Sequence, residues 1–472
     1  MTDSKIYQSL VCLDVYQGNR FIKFLQSPYF NKKELIAQLV IYLLECHRVE
    51  HEPDKLIFWA TNQTSDYDDA AFRRLCNEAI ELLEEFLTIE QLRSNKYLRS
   101  HLLLEGIDTY QVTALYKGTI RKAQQIKEDR INMTNLLFDF LIERDIRQIE
   151  QADSKRYEKS TLDILSNKLD TYYIIEKLRI YSLVYWQKSF LKEEYKIHLI
   201  DQILEFLKSD PFPNNYIINL YYHNLLMLVE PEKEEYFLEY KKLLLNYAVE
   251  FLPNEAFRLI YNAINYSIRK LNQGQRIFRR EIWELYKFAL ESNILIDSKN
   301  FDHWDYRNIV TAALQENEYG WAREFIDKYK EYLEPDQREN AFHFNLALLN
   351  FYEKKYDEVV DLLNSVEYTD LTYNLNAKVL LIATYYELDE IDALESSLSS
   401  FKTYIYRKDI VSEDRRKLYN NYVSFLQKII QNQGNQSKLI KLRQDVEQVK
   451  NIASKPWLLE KINELIGEKI QA

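Results

Sequence analysis

Apolar side chains recur three and four positions apart along nearly the whole chain, in stretches of about 12 to 22 residues, the spacing of an amphipathic helix. One stripe runs through Ala71, Leu75, Ala79, Leu82, Leu83, Phe86 and Leu87. It follows an acidic turn at Asp66, Asp68 and Asp69 that suits the positive end of a helix dipole. A second stripe, Leu35, Ile36, Leu39, Val40, Leu43 and Leu44, stops short of Pro53. No run alternates apolar and polar residues around an Asn-Gly or Asp-Gly pair, so the two-residue hairpin signal is missing and the chain reads as all-α.

Prolines fall between the periodic stretches. Pro211 and Pro213 separate a helix at 200–207 from one at 217–229, Pro231 and Pro253 bracket 236–251, and Pro335 divides 325–333 from 341–352. Proline is tolerated in a first turn or a loop, so these positions mark helix junctions. Connections this short fold neighbouring helices back antiparallel, as α-hairpins.

The hairpins repeat. The triplets Asn308-Ile309-Val310, Asn345-Leu346-Ala347 and Leu380-Leu381-Ile382 are each followed, ten residues beyond their middle residue, by Tyr319, Tyr356 and Ile391. Ala322, Val359 and Leu394 come next, then Ile326, Leu363 and Leu398. The period is 37 residues and then 35. The segment from Phe344 to Leu363 resembles a tetratricopeptide repeat, whose period is about 34 residues. Leu346 and Ala347 take the apolar and small positions of the first helix, and Tyr356, Val359 and Leu363 the aromatic, small and large positions of the second. Segments 308–326 and 380–398 are similar, and Leu426, Gly434 and Leu439 suit a degenerate fourth unit. Val310, Ile382, Val359 and Leu394 are larger than the family's small residues, and its closing proline is present only as Pro335, so looser or shifted packing is expected.

The resemblance implies an α-solenoid of antiparallel helix pairs. Residues 1–105 are expected to form an N-terminal helical cap module, 106–300 irregular helical hairpins, and 301–472 tetratricopeptide-like repeats with C-terminal capping helices.

Composition narrows the chemistry. Only 7 of 472 residues are glycine, against an average near ~7%, and no two lie within eleven positions of each other. Dinucleotide loops, phosphate loops and nucleophile elbows all need closely spaced glycines, so none exists here. The net charge of −11, with basic stretches only at 276–280 and 415–417, argues against nucleic-acid binding. Residues 211–229 are free of acidic and basic side chains but hold two prolines, four asparagines and a histidine, so no membrane span is expected. The first twenty residues lack the pattern of a cleaved leader. Three unpaired cysteines, Cys12, Cys46 and Cys76, suit buried positions in a protein of the reducing cytoplasm.

His47-Arg48-Val49-Glu50-His51 matches H-x-x-E-H, in which two imidazoles one helical turn apart share a zinc ion and the glutamate acts as base. A zinc-dependent hydrolase is therefore one alternative. The motif ends a helix ahead of Pro53, and His47 prolongs the stripe of Val40, Leu43 and Leu44, as a packing histidine would. No metal and no other cofactor is expected. Adjacent acids such as Glu84-Glu85 do not face each other on a helix.

The tetratricopeptide resemblance implies a concave groove lined by the first helices of the repeats. Carried over, it takes Arg307, Asn308 and Thr311, then Phe344, Asn345, Leu348, Phe351 and Tyr352, then Val379, Ala383 and Tyr386. Asn308 and Asn345 would bond a peptide backbone, and Phe344 and Phe351 would anchor apolar side chains. The expected function is a non-catalytic scaffold that binds a protein or peptide. The other alternative is a ligand- or peptide-gated regulator in which residues 1–105 form the effector module.

Overall fold

Polar residues open many of the helices by accepting backbone N–H groups. Asp14 and Gln17 form a reciprocal capping box, and Asp54, Asp68, Asn95, Asn215, Asp302, Ser412 and Asn435 each cap the helix that follows. Pro253 and Pro335 stand at the first helical position, where the missing N–H is harmless. The computed structural model describes residues 1–127, 129–153, 159–188, 195–364, 371–407, 412–449 and 451–467, and among these there is no β-strand.

The chain divides into two compact units, Met1–Ile180 and Tyr181–Ala472. In the first, α1 (Lys5–Leu10), α2 (Val15–Leu25), α3 (Glu34–Arg48), α4 (Lys55–Asn62) and α5 (Asp69–Ser94) enclose a core that includes Phe21, Leu39, Leu43, Phe58, Ala79 and Phe86. A separate core of Leu104, Ile107, Ala123, Ile142, Ile146 and Ile149 joins α6 (Lys96–Thr109), α7 (Tyr116–Gln124) and α8 (Met133–Asp153). Asn95 ends α5 and caps α6, so the two cores part there. The unit boundary falls within α9 (Lys159–Lys188).

The sequence-based divisions lie elsewhere. Residue 105 is inside α6. Residue 300 separates helices whose neighbours on either side pack together, so no break occurs there.

The second unit comprises α10 (Ile200–Leu207), α11 (Tyr216–Val229), α12 (Glu234–Tyr247), α13 (Pro253–Asn272), α14 (Phe278–Glu291), the single turn α15 (Ile294–Asp297), α16 (His303–Gln315), α17 (Tyr319–Tyr329), α18 (Pro335–Tyr352), α19 (Tyr356–Asn364), α20 (Leu371–Glu387), α21 (Ile391–Arg407), α22 (Glu413–Gln431), α23 (Gln436–Gln448) and α24 (Lys455–Ile466). From α11 onward these helices pack in chain order. Successive helices lie side by side, and α16, α18 and α20 form a contiguous row. Tyrosines hold the pairs together with a buried ring and a hydroxyl that donates to a carbonyl of a neighbouring element. Tyr240 reaches Leu259 O at 2.8 Å, Tyr306 reaches Ile326 O at 2.6 Å, and Tyr422 reaches Val379 O at 3.2 Å.

The 37- and 35-residue spacing has a structural counterpart. Tyr319, Tyr356 and Ile391 are the first residues of α17, α19 and α21. Two residues before each, Asn317, Lys354 and Asp389 adopt left-handed backbone at φ 62°, 62° and 58°. The next amide then reaches back to the preceding helix at the same offset: Glu318 N to Ala313 O at 3.0 Å, Lys355 N to Asn350 O at 2.8 Å, and Glu390 N to Tyr385 O at 3.0 Å. This six-to-one bond is the Schellman closure of a helix C-terminus. Ala322, Val359 and Leu394, and Ile326, Leu363 and Leu398, are buried in all three pairs. Gly434, at φ 84°, stands in the same place ahead of α23.

A side chain with a Cβ is strained in the left-handed region, by about 1–2 kcal/mol. Lys354→Gly is therefore expected to raise stability by about 1 kcal/mol in urea unfolding followed by circular dichroism. Gly434→Ala is expected to lower it by a similar amount, although nothing within 4 Å of Gly434 obstructs a Cβ.

Candidate functional site

The row α16, α18, α20 carries the residues that the sequence assigns to a groove, and the structure separates them. Phe344 is buried at 2% exposure, with the Arg307 guanidinium 5.8 Å above its ring and Tyr373 edge-on at 5.0 Å. The Tyr373 hydroxyl continues past α18 to donate to His303 O of α16 at 2.7 Å. A tyrosine is long enough to span from α20 to α16, and this contact closes the row over Phe344. Asn345 is fully enclosed. Its Nδ2 donates to Ala341 O of its own helix at 2.8 Å, and its Oδ1 has no hydrogen-bond partner among the described residues. Val379 and Ala383 are buried as well.

Phe344 and Asn345 therefore have no surface to offer a partner, which corrects the sequence-based assignment for these two residues. The equivalence of Asn308 and Asn345 holds in register but not in exposure. Asn308 is open to solvent, beside the Tyr286 side chain of α14. Both α16 and α18 have helices on either side, so the difference lies in which face of its helix each residue occupies.

Phe351 packs against the core formed by α20 to α24 and meets Tyr356 edge-on at 5.5 Å. Tyr386 is covered by Trp457 of α24, with ring centroids 5.5 Å apart. Beside it, Glu387 accepts from Trp457 Nε1 at 2.7 Å and pairs with Lys461 at 2.9 Å. Burial lowers and the two carboxylates Glu464 and Glu387 raise the Lys461 ammonium pKa, and the carboxylates win. At the α20 end of the row, α24 thus covers Tyr386 and Glu387.

Arg307, Thr311, Leu348 and Tyr352 stay half-buried beside the exposed Asn308. Thr311 Oγ1 is committed to Arg307 O at 2.8 Å. Leu348 and Tyr352 lie one turn apart on α18, and the Tyr352 ring is 6.5 Å from Tyr319. Burial pushes the Tyr352 phenol up, partly offset by Arg279. Arg307, Asn308 and Thr311 on α16, with Leu348 and Tyr352 on α18, are residues of the assigned set that no neighbour fully covers.

One acidic group on α16 escaped the sequence reading. Asp305 is buried in the first turn of α16 and accepts from the Tyr261 hydroxyl. Burial pushes its pKa up to about 7, against the hydrogen bond from Tyr261, while Asp302 adds to the rise. In sequence, Asp305 looks like an ordinary acid at the positive end of a helix. Only the packing of α13 and α14 over it makes it unusual.

The H-x-x-E-H segment does not form a zinc helix. Helix α3 ends at Arg48, Glu50 turns left-handed at φ 53°, and His51 N closes back on Cys46 O at 2.9 Å. The two imidazoles are therefore not one helical turn apart. His47 meets Tyr7 edge-on at 6.3 Å, at the wall of an open cleft of about 690 Å³ that also exposes Arg48, Glu50 and His51. Among the described residues no group of three or more His, Cys, Asp and Glu is placed to hold a metal ion, and no helix is long and apolar enough to cross a membrane. The cysteines are all free. Cys46 is buried and burial pushes Cys76 up to about 11, but Cys12 is exposed, contrary to expectation.

Compared with protein-family models, curated proteins and solved structures, the chain has no significant match in any of the three.

Asp305 sets a pH dependence. A carboxyl whose folded pKa lies above its unfolded value near ~3.9 holds its proton longer in the folded state, so folding weakens as pH rises from about 4 to about 7. Asp305→Asn keeps an acceptor for Tyr261 and removes the buried charge. It is expected to raise the urea midpoint at pH 8 and to leave it nearly unchanged at pH 4, when both are compared with the parent.

Proposed function

We propose that the second unit is a tetratricopeptide-like helical-repeat module, part of an α-solenoid, that captures a protein or peptide segment without catalysis. The observation that carries this reading is the row of α16, α18 and α20, each closed by the same left-handed turn at Asn317, Lys354 and Asp389. Repeated pairs of this kind stack through nearest-neighbour faces and leave an extended surface along one row of helices. The docking strip in this reading is the part of the row left accessible: Arg307, Asn308, Thr311, Leu348 and Tyr352. Leu348 and Tyr352, four residues apart, would seat an apolar side chain of the partner, and Asn308 would bond its backbone. The C-terminal helix α24 would cap the array. Three free cysteines are in keeping with a reducing cytoplasm.

The test compares the parent chain with a Leu348→Glu, Tyr352→Glu variant, each used as bait in its native host with mass spectrometry of what co-elutes. A specific protein captured by the parent and reduced at least tenfold in the variant, with an unchanged melting temperature, is the expected result. Identical captured sets from parent and variant would refute the strip.

A further inference from the structure

We draw no further inference here: the strongest candidate, the open cleft between α1 and the end of α3 that Tyr7, Leu13, Leu44, His47, Glu50 and His51 line, carries nothing because its walls mix carboxylates, imidazoles and a guanidinium and nothing in the structure shows what covers it.

Discussion

A short helix hairpin cannot bury both of its apolar sides alone, and this constraint shapes the second unit. Helix α18 shows it most clearly. It packs against α16, α17, α19 and α20, and Ala341, Phe344, Asn345, Ala347, Leu349 and Asn350 are all buried. A helix surrounded in this way needs apolar residues around most of its circumference, with small ones wherever two backbones approach. Ala347 fills that role within the pair, as Ala322 does on α17. Each hairpin is thus stable only because its neighbours are present, and the order of helices in the chain becomes their order in space.

The lysines drawn inside by this packing are matched by carboxylates. Lys461 is held by Glu387 and Glu464, Lys241 by Glu281 and Glu284, and Lys270 by Glu232 and Glu234. An unpaired buried ammonium would cost several kcal/mol, so such residues fix which helices can be neighbours more than they add to stability. The tyrosines act similarly with neutral groups. The rings of Tyr240, Tyr306, Tyr373 and Tyr422 supply buried area while their hydroxyls donate to carbonyls on other helices.

Much of the local structure was readable from the residues. The stripe from Ala71 to Leu87 became α5, capped by Asp68 within the acidic run, and 200–207 became α10 without any shift of its ends. Pro253 and Pro335 opened helices as expected. The shared spacing of Tyr319, Tyr356 and Ile391 was also legible, since each begins a helix. The groove was less so. Exposure depends on side chains reaching across helices, such as Tyr373 to His303 and Trp457 to Glu387. The partners of these two bonds are 70 residues apart in each case, beyond the range of any local pattern. The backbone turn at Glu50 was hidden for a different reason. A glutamate carries no mark of left-handed conformation, so the histidine pair looked helical where it is not.

The bond from Tyr373 to His303 joins α20 to α16 and skips the hairpin between them. Tyr319 and Tyr352 tie adjacent pairs at the other end of the same row. An array linked only to immediate neighbours frays like a row of tiles lifted one by one from its edge. A staple across every second element changes that behaviour, because the middle hairpin cannot leave until the outer two part. A hydrogen bond contributes about 1 kcal/mol, so this one couples α16 and α20 beyond the nearest-neighbour contacts of the row.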